Sequence, residues 1–352
     1  MPRVSVVIPS YNHAAYIKEA VQSVLSQSEK DLELIVVDDG STDNTLDVLQ
    51  KISDPRLQVI QQANQGAHVA INRGLHAATG QYLAILNSDD AYYPHRLERL
   101  IALLEADPSI GLAGSFIEIV DSQGKPLGVK HGYADCSPWP LDRPEKSLRS
   151  DEDLRAALLT ENYWATTSNY FFKQETYCRL GDFAPLRYAH DWDFALRAAR
   201  VGKIHLLPEP LMRYRVHSSN TIRENKAAMI FEICWCLAVH LPIQIQESWF
   251  TAKPAEHRID QLLHSIYTYG CEQVLVAMLL YQFAENRDLA LGVLESENPI
   301  RARLMQYIET QIKQQAALPM NENSSPAPPR RSLLRRVASR LCSMVLGRQP
   351  AK

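Results

Sequence analysis

No apolar run in this 352-residue sequence reaches the roughly 18 residues a membrane-crossing helix needs. The best candidate, around 231–243, is interrupted by Glu232, His240 and Pro242. No secretory leader is expected either: Met1-Pro2-Arg3 runs straight into Val4–Pro9, which is too short an apolar region and has no small-residue cleavage site. The expected location is the cytoplasm. The six cysteines (136, 178, 234, 236, 271, 342) contain no C-x-x-C pair. Cys234-x-Cys236 lies in an apolar stretch and reads as core packing rather than metal or redox work, and free thiols suit a reducing compartment. No internal repeat is evident. What remains is ordinary for a folded protein, with 46% hydrophobic, 22% charged and 8% aromatic residues. That excludes a disordered, collagenous or coiled-coil chain, and the length suggests about two structural units.

Acidic residues are lacking beyond Glu322, where seven of the 37 Lys and Arg lie. The preceding part therefore holds 30 basic against 40 acidic residues, a balance of −10. Such a body is a poor electrostatic match for nucleic acid, whereas the tail is a compact cationic segment.

The first ~100 residues alternate apolar runs with helical patterns, the signature of βαβ units on a mostly parallel sheet. Val4–Ile8 is a β-branched run of the kind buried on both faces. Apolar residues at 17, 20, 21, 24 and 25 follow at helical spacing. Leu32–Val37 is a second strand and ends in Asp38-Asp39-Gly40-Ser41-Thr42-Asp43. A helix from about 42 to 52, a strand at 57–60 and a helix from Gln65-Gly66 to Gly80 come next. Tyr82–Leu86 is a further strand and ends in Asn87-Ser88-Asp89-Asp90. In open α/β sheets ligands bind at the carboxyl ends of the strands, which is where these acidic loops converge.

From about 110 to 180 the pattern is irregular and reads as an insertion. Strand and helix return at Thr167–Phe172 and Asp191–Val201, and 206–217 reads as a turn region. Residues 226–315 read as helical, 316–329 as a flexible linker rich in Pro, Ser and Asn. In 330–352 apolar residues recur at helical spacing between arginines, the pattern of a basic amphipathic tail. Such a tail is either a solvated basic end or a peripheral anchor for an anionic membrane surface.

Carboxylates gathered at one sheet end repel each other and lose solvation, so a bound divalent cation or a polyhydroxylated ligand is the usual reason for them. Each loop alone is also a good turn or helix-capping sequence. Together, Val4–Asn12, Val36–Asp43, Asn64-Gln65-Gly66, Leu86–Asp90 and His190-Asp191-Trp192-Asp193 resemble the ordered motifs of glycosyltransferase family 2, the inverting enzymes with the GT-A fold. The resemblance covers about residues 3–220 and includes Pro94. It implies a GT-A domain over 1–225, Rossmann-like, with a mostly parallel sheet flanked by helices. The helical region, linker and basic tail then follow it.

The resemblance also implies roles. Pro9 and Tyr11 match the loop that packs on the nucleotide base, and Asp39 matches the carboxylate that reads a uracil edge, since it can accept the ring N–H. Asn87-Ser88-Asp89 corresponds to the D-x-D motif, so Asp89 would bind the Mn²⁺ or Mg²⁺ that bridges the donor diphosphate. Asn87 can bond a ribose hydroxyl but adds no charge, which implies weaker metal affinity than two carboxylates give. Asp90 is either a holder of metal-bound water or a helix cap. Asp191 corresponds to the catalytic base, in a motif that usually reads Glu-Asp and here reads His190-Asp191; an ordinary helix N-cap is its bland alternative. His217 matches a metal-ligating position, against the structural role a lone histidine usually has. Ile71 stands where many members carry Arg before Asn72-Arg73-Gly74, so no phosphate-binding arginine carries over and only Asn72 is kept as a secondary site residue. Trp139, Trp164 and Trp192 are either core or platforms for acceptor sugars.

The expected activity is inverting transfer from a nucleotide-sugar donor, a UDP-sugar by family habit, to a glycan or lipid-linked acceptor in surface polysaccharide or lipopolysaccharide synthesis. Two alternatives stand beside it. One is a sugar-1-phosphate nucleotidyltransferase, which would open with a Gly-rich, Arg-containing phosphate loop where this chain has Pro9-Ser10-Tyr11-Asn12. The other is a non-catalytic nucleotide-sugar-binding scaffold, which the intact Asp89 and Asp191 oppose.

Overall fold

The structure is a computed structural model. It describes residues 1–130, 135–136, 139–140, 158, 162, 164–217 and 225–246, with scattered positions between 295 and 313. The linker, the basic tail, the side chain of Trp139 and most of the helical reading for 247–315 fall outside the described residues. The chain divides into two compact units, Met1–Glu232 and Ile233–Lys352.

The first unit is built on one mixed sheet. Its strands are β1 (Val4–Ser10), β2 (Leu32–Asp38), β3 (Leu57–Gln61), β4 (Tyr82–Ile85), β5 (Ala91–Tyr92), β6 (Ile110–Val120), β7 (Pro126–Lys130), β8 (Phe171–Lys173) and β9 (Lys203–Arg215). The order is β3-β2-β1-β4-β8-β6-β9-β5, with β7 on β6. Strands β1 to β4 pair in parallel, with Val4 opposite Leu32 and Tyr82, and Ser10 opposite Asp38. That register brings the ends of β1 and β2 and their loops side by side. Strand β8 runs antiparallel to β4 and β6, while β6 and β9 are parallel. The helices are α1 (Ile17–Leu25), α2 (Thr45–Gln50), α3 (Ala67–Ala77), α4 (Arg96–Ala106), α5 (Gln174–Leu180), α6 (His190–Val201) and α7 (Lys226–Gln246), the last containing the boundary between the units.

Every residue of β1 is buried, as a β-branched run flanked by strands and helices should be. Helix α1 buries Ile17, Ala20, Val21 and Val24, the stripe its sequence spacing predicts. Two strands differ from the sequence reading. The stretch read as an insertion contains the eleven-residue β6, its signal diluted by Gly111 and Gly114. The stretch read as turns is most of the thirteen-residue β9, whose Pro208 and Pro210 sit where its register against β6 shifts. Proline is tolerated in a strand at such irregularities.

Gly74 lies inside α3 because a Cβ there would come within 2.3 Å of Val7 Cγ1 and 3.3 Å of Val37 Cγ2. Ala is favoured over Gly by about 1 kcal/mol in a helix, but overpacking costs about 1–3 kcal/mol. Gly74→Ala is therefore expected to lower the urea midpoint; an unchanged midpoint would mean that α3 moves off the sheet at no cost.

Candidate active site

The first two loops are knitted by Asn12, the residue after Tyr11, in a left-handed conformation with φ 54°. Asn12 Oδ1 accepts from the Thr42 amide at 2.7 Å, and the Asn12 amide donates to Ser41 Oγ at 2.9 Å. Pro9 is buried within β1, whereas Tyr11 is 44% exposed, so of that pair only Tyr11 offers a surface. Asp39 is buried and held by the third motif. Its Oδ1 accepts from Gln62 Nε2 and the Gln65 amide, and its Oδ2 from the Gly66 amide, each at 2.8 Å. A carboxylate offers about four lone-pair sites, so one remains for a ligand.

The loop after β4 is tied to a short 3₁₀ turn, Thr167–Asn169, that the sequence did not reveal as part of the site. Asn87 Nδ2 donates to Thr166 Oγ1 at 3.0 Å, and Thr167 Oγ1 donates to Asn87 Oδ1 at 2.9 Å. Both ends of the amide thus have protein partners, which supplies a structural reason for Asn in place of a carboxylate: Asp could not donate. Ser88 is buried, its Oγ 2.6 Å from His13 Nδ1. Asp90 is buried as well, with Oδ2 accepting from Ser168 Oγ at 2.5 Å and Oδ1 from the Arg215 amide at 2.9 Å. Burial and the neighbouring Asp89 charge push its carboxyl well above the usual range.

Asp89 Oδ2 lies 2.9 Å from His217 Nε2. Burial opposes its charge, but the bond from His217 and the nearby imidazoles of His13 and His217 outweigh burial and hold the carboxyl below its ordinary value. His217 stacks on Tyr16 at 5.2 Å and meets His13 edge-on at 5.8 Å. Ligand-type atoms of His13, Asp89 and His217 all lie within 4.8 Å of one another. Two imidazoles and a carboxylate converging this closely fit a divalent cation.

Asp191 stands in the first turn of α6. Its Oδ1 accepts from the Trp192 amide at 2.7 Å and its Oδ2 from Asn162 Nδ2 at 2.8 Å, while Tyr170 donates its hydroxyl to the Asp191 carbonyl at 2.5 Å. Burial raises its carboxyl to about 6 against the pull of those bonds. His190 is held neutral by burial, its pKa lowered. The stretch from Asn162 to Ser168 therefore bonds to Asp191 at one end and to Asn87 and Asp90 at the other. Asn72 is engaged elsewhere, its amide bonded at both ends to the Phe183 backbone. Trp164 is fully buried and Trp192 6% exposed, so both are core rather than sugar platforms. Among the described residues no helix is long and apolar enough to cross a membrane.

A sequence profile for "Glycosyl transferase family 2" matches residues 5–175. An uncharacterized glycosyltransferase of Nostoc sp. is 33% identical over 226 residues, which are 62% of this chain and 66% of the relative. The match thus spans about two thirds of the relative's own length. TuaG of Bacillus subtilis, described as a putative teichuronic acid biosynthesis glycosyltransferase, is 40% identical over 129 residues, 36% of this chain and 51% of TuaG. Among solved structures, the mannosyltransferase PcManGT of Pyrobaculum calidifontis, in complex with GDP-Man and Mn²⁺, superposes with a TM-score of 0.53 at 21% identity. The superposition covers 90% of this chain and 87% of that one. At that identity the likeness is one of fold, and the fold is GT-A.

Proposed function

Because this chain belongs to glycosyltransferase family 2, we propose that it transfers a sugar with inversion from a nucleoside-diphosphate donor, a UDP-sugar, to a hydroxyl of a growing polysaccharide or lipid-linked saccharide. The observation that carries the reading is Asp191, a buried carboxyl raised to about 6 with both oxygens held by N–H donors. It shares the 162–168 stretch with the Asn87–Asp90 loop. At neutral pH such a group is ionised, yet basic enough to take a proton. As the acceptor oxygen bonds to the anomeric carbon, the bond from that carbon to the diphosphate oxygen breaks, and the hydroxyl proton passes to Asp191. The electron pair of the broken bond leaves with the diphosphate.

Asp39, with one free acceptor position, is the group to read an N–H on the base edge, and Tyr11 is the exposed ring beside it. Asp89 and His217 would hold Mn²⁺ or Mg²⁺. A bound divalent ion supplies charge neutralisation to the leaving diphosphate, so no general acid is needed. Synthesis of a surface polysaccharide is supported by the likeness to TuaG, and the basic tail is proposed to rest on an anionic membrane where lipid-linked acceptors lie. Calorimetry of UDP and GDP with and without Mn²⁺, in the wild type and in Asp89→Ala, tests the donor site. The expected outcome is Mn²⁺-dependent UDP binding that Asp89→Ala abolishes. Failure of both nucleotides to bind with metal present would remove the basis of the proposal, and binding without turnover would favour a non-catalytic scaffold.

A further inference from the structure

The function proposed above assigns the metal to Asp89 and His217 and gives His13 no part. It follows Asn12 in the loop after β1, and its backbone amide is fixed by Thr45 Oγ1 at 3.0 Å. Its ring is fixed independently, with Nδ1 2.6 Å from Ser88 Oγ and the ring face edge-on to His217 and Tyr16. Loop, ring and neighbours thus hold one side chain beside Asp89. The same side chain supplies the third ligand-type atom of the cluster with Asp89 and His217.

We propose that His13 is a third protein ligand of the divalent cation, and that the resulting site, two imidazoles and one carboxylate, takes Mn²⁺ in preference to Mg²⁺ before any nucleotide binds. The inference rests on the reading of Asp89 and His217 as metal ligands and extends it. The chemistry follows from the donor set. Mg²⁺ favours oxygen ligands and keeps several waters, being held by carboxylates and substrate phosphates. Imidazole nitrogen suits transition-series ions. A site of two nitrogens and one oxygen therefore discriminates against Mg²⁺. It also has three anchors of its own, so the donor diphosphate is not required to complete a minimal site. Ser88 has the position of a supporting partner: when His13 donates its Nδ1 proton to Ser88 Oγ, the tautomer is set and Nε2 keeps its lone pair. Ligating histidines are generally oriented in this way.

The test uses the full chain with Mn²⁺ alone as the probe and no nucleotide, read by loss of the free-ion electron paramagnetic resonance signal and by calorimetry, with Mg²⁺ as the competing ion. Wild type is expected to bind one Mn²⁺ and to release it only at a large excess of Mg²⁺. His13→Ala should weaken Mn²⁺ binding at least ~10-fold and narrow the preference over Mg²⁺, and pulsed resonance should count two coordinated nitrogens in the wild type and one in the variant. Ser88→Ala, which keeps the imidazole, should weaken Mn²⁺ binding less. Unchanged Mn²⁺ affinity and nitrogen count in a folded His13→Ala would overturn the inference. Should Asp89→Asn also leave Mn²⁺ binding unchanged, the failure lies with the metal site itself rather than with His13.

Discussion

Asp191→Asn is expected to lower kcat/KM for donor turnover by roughly 10²–10⁴-fold, the range a positioned general base contributes. Donor binding should stay intact, because the substitution touches none of Asp39, Asp89 or His217. The wild-type profile of kcat/KM against pH should show an acid limb with an apparent pKa of about 6, the value burial gives Asp191, below which the base is protonated and cannot accept. The same group makes a stability signature with a definite sign. A carboxyl whose pKa is raised on folding binds more protons folded than unfolded, so stability falls as pH rises from about 4 to about 6 and stays reduced above that. A shift from 3.8 to about 6 corresponds to roughly 3 kcal/mol at about 1.4 kcal/mol per unit. Between pH 4 and pH 7 the unfolding free energy of Asp191→Asn should therefore gain on that of the wild type by up to about 3 kcal/mol. Equal pH dependence of the two proteins would mean that Asp191 is not buried as a charge, and activity retained within a few-fold would remove it as the base.

Asn162 supplies a check on that account. Its amide donates to Asp191 Oδ2, a bond that favours the ionised carboxylate and lowers its pKa. Removing the donor should move the acid limb upward while the fold persists.

What the sequence disclosed and what it concealed divide along physical lines. Strands β1, β2 and β4 declare themselves as apolar runs, β2 and β4 ending in acidic loops, and α6 as an apolar stripe, because burial on a sheet or a helix face imposes a period. Strands β6 and β9 do not, since glycine in one and proline in the other imitate loop chemistry. The stretch from Asn162 to Ser168 has no period at all. Its side chains reach Asn87 and Asp90 across nearly eighty residues of sequence, and no local spacing encodes such a partnership. The same limit applied to Asn87 and Ser88, which a motif reading turns toward the ligand and the structure engages with Thr166, Thr167 and His13.

Glu232→Ala is expected to cost about 1–3 kcal/mol of stability in the first unit and to depress turnover with it, because this carboxylate holds the loop that leads into α6. The N-cap position of that helix is Ala189, which has no side-chain acceptor, although Ser, Thr, Asp or Asn normally stands there. Glu232, from α7, fixes the chain just before the helix: it takes the Arg187 amide at 3.0 Å, the Tyr188 amide at 2.6 Å and the Ala189 amide at 3.1 Å. It is 5% exposed and Ala189 is buried, so on truncation the Ala189 amide does not simply rehydrate, whereas the exposed Arg187 amide can. A buried donor left unpaired costs about 1–3 kcal/mol. A negative charge at a helix start is also favoured by the helix dipole. Glu232→Gln should fall between, since one amide oxygen can serve part of the set. Asp191 lies two residues beyond the last of these amides, so kcat should fall more than donor KM rises. That split separates displacement of the base from loss of donor binding. Urea unfolding of both variants checks the anchoring role, and a Glu232→Ala chain within about 0.5 kcal/mol of wild type, the range of a neutral surface change, would show that α6 holds its start without it.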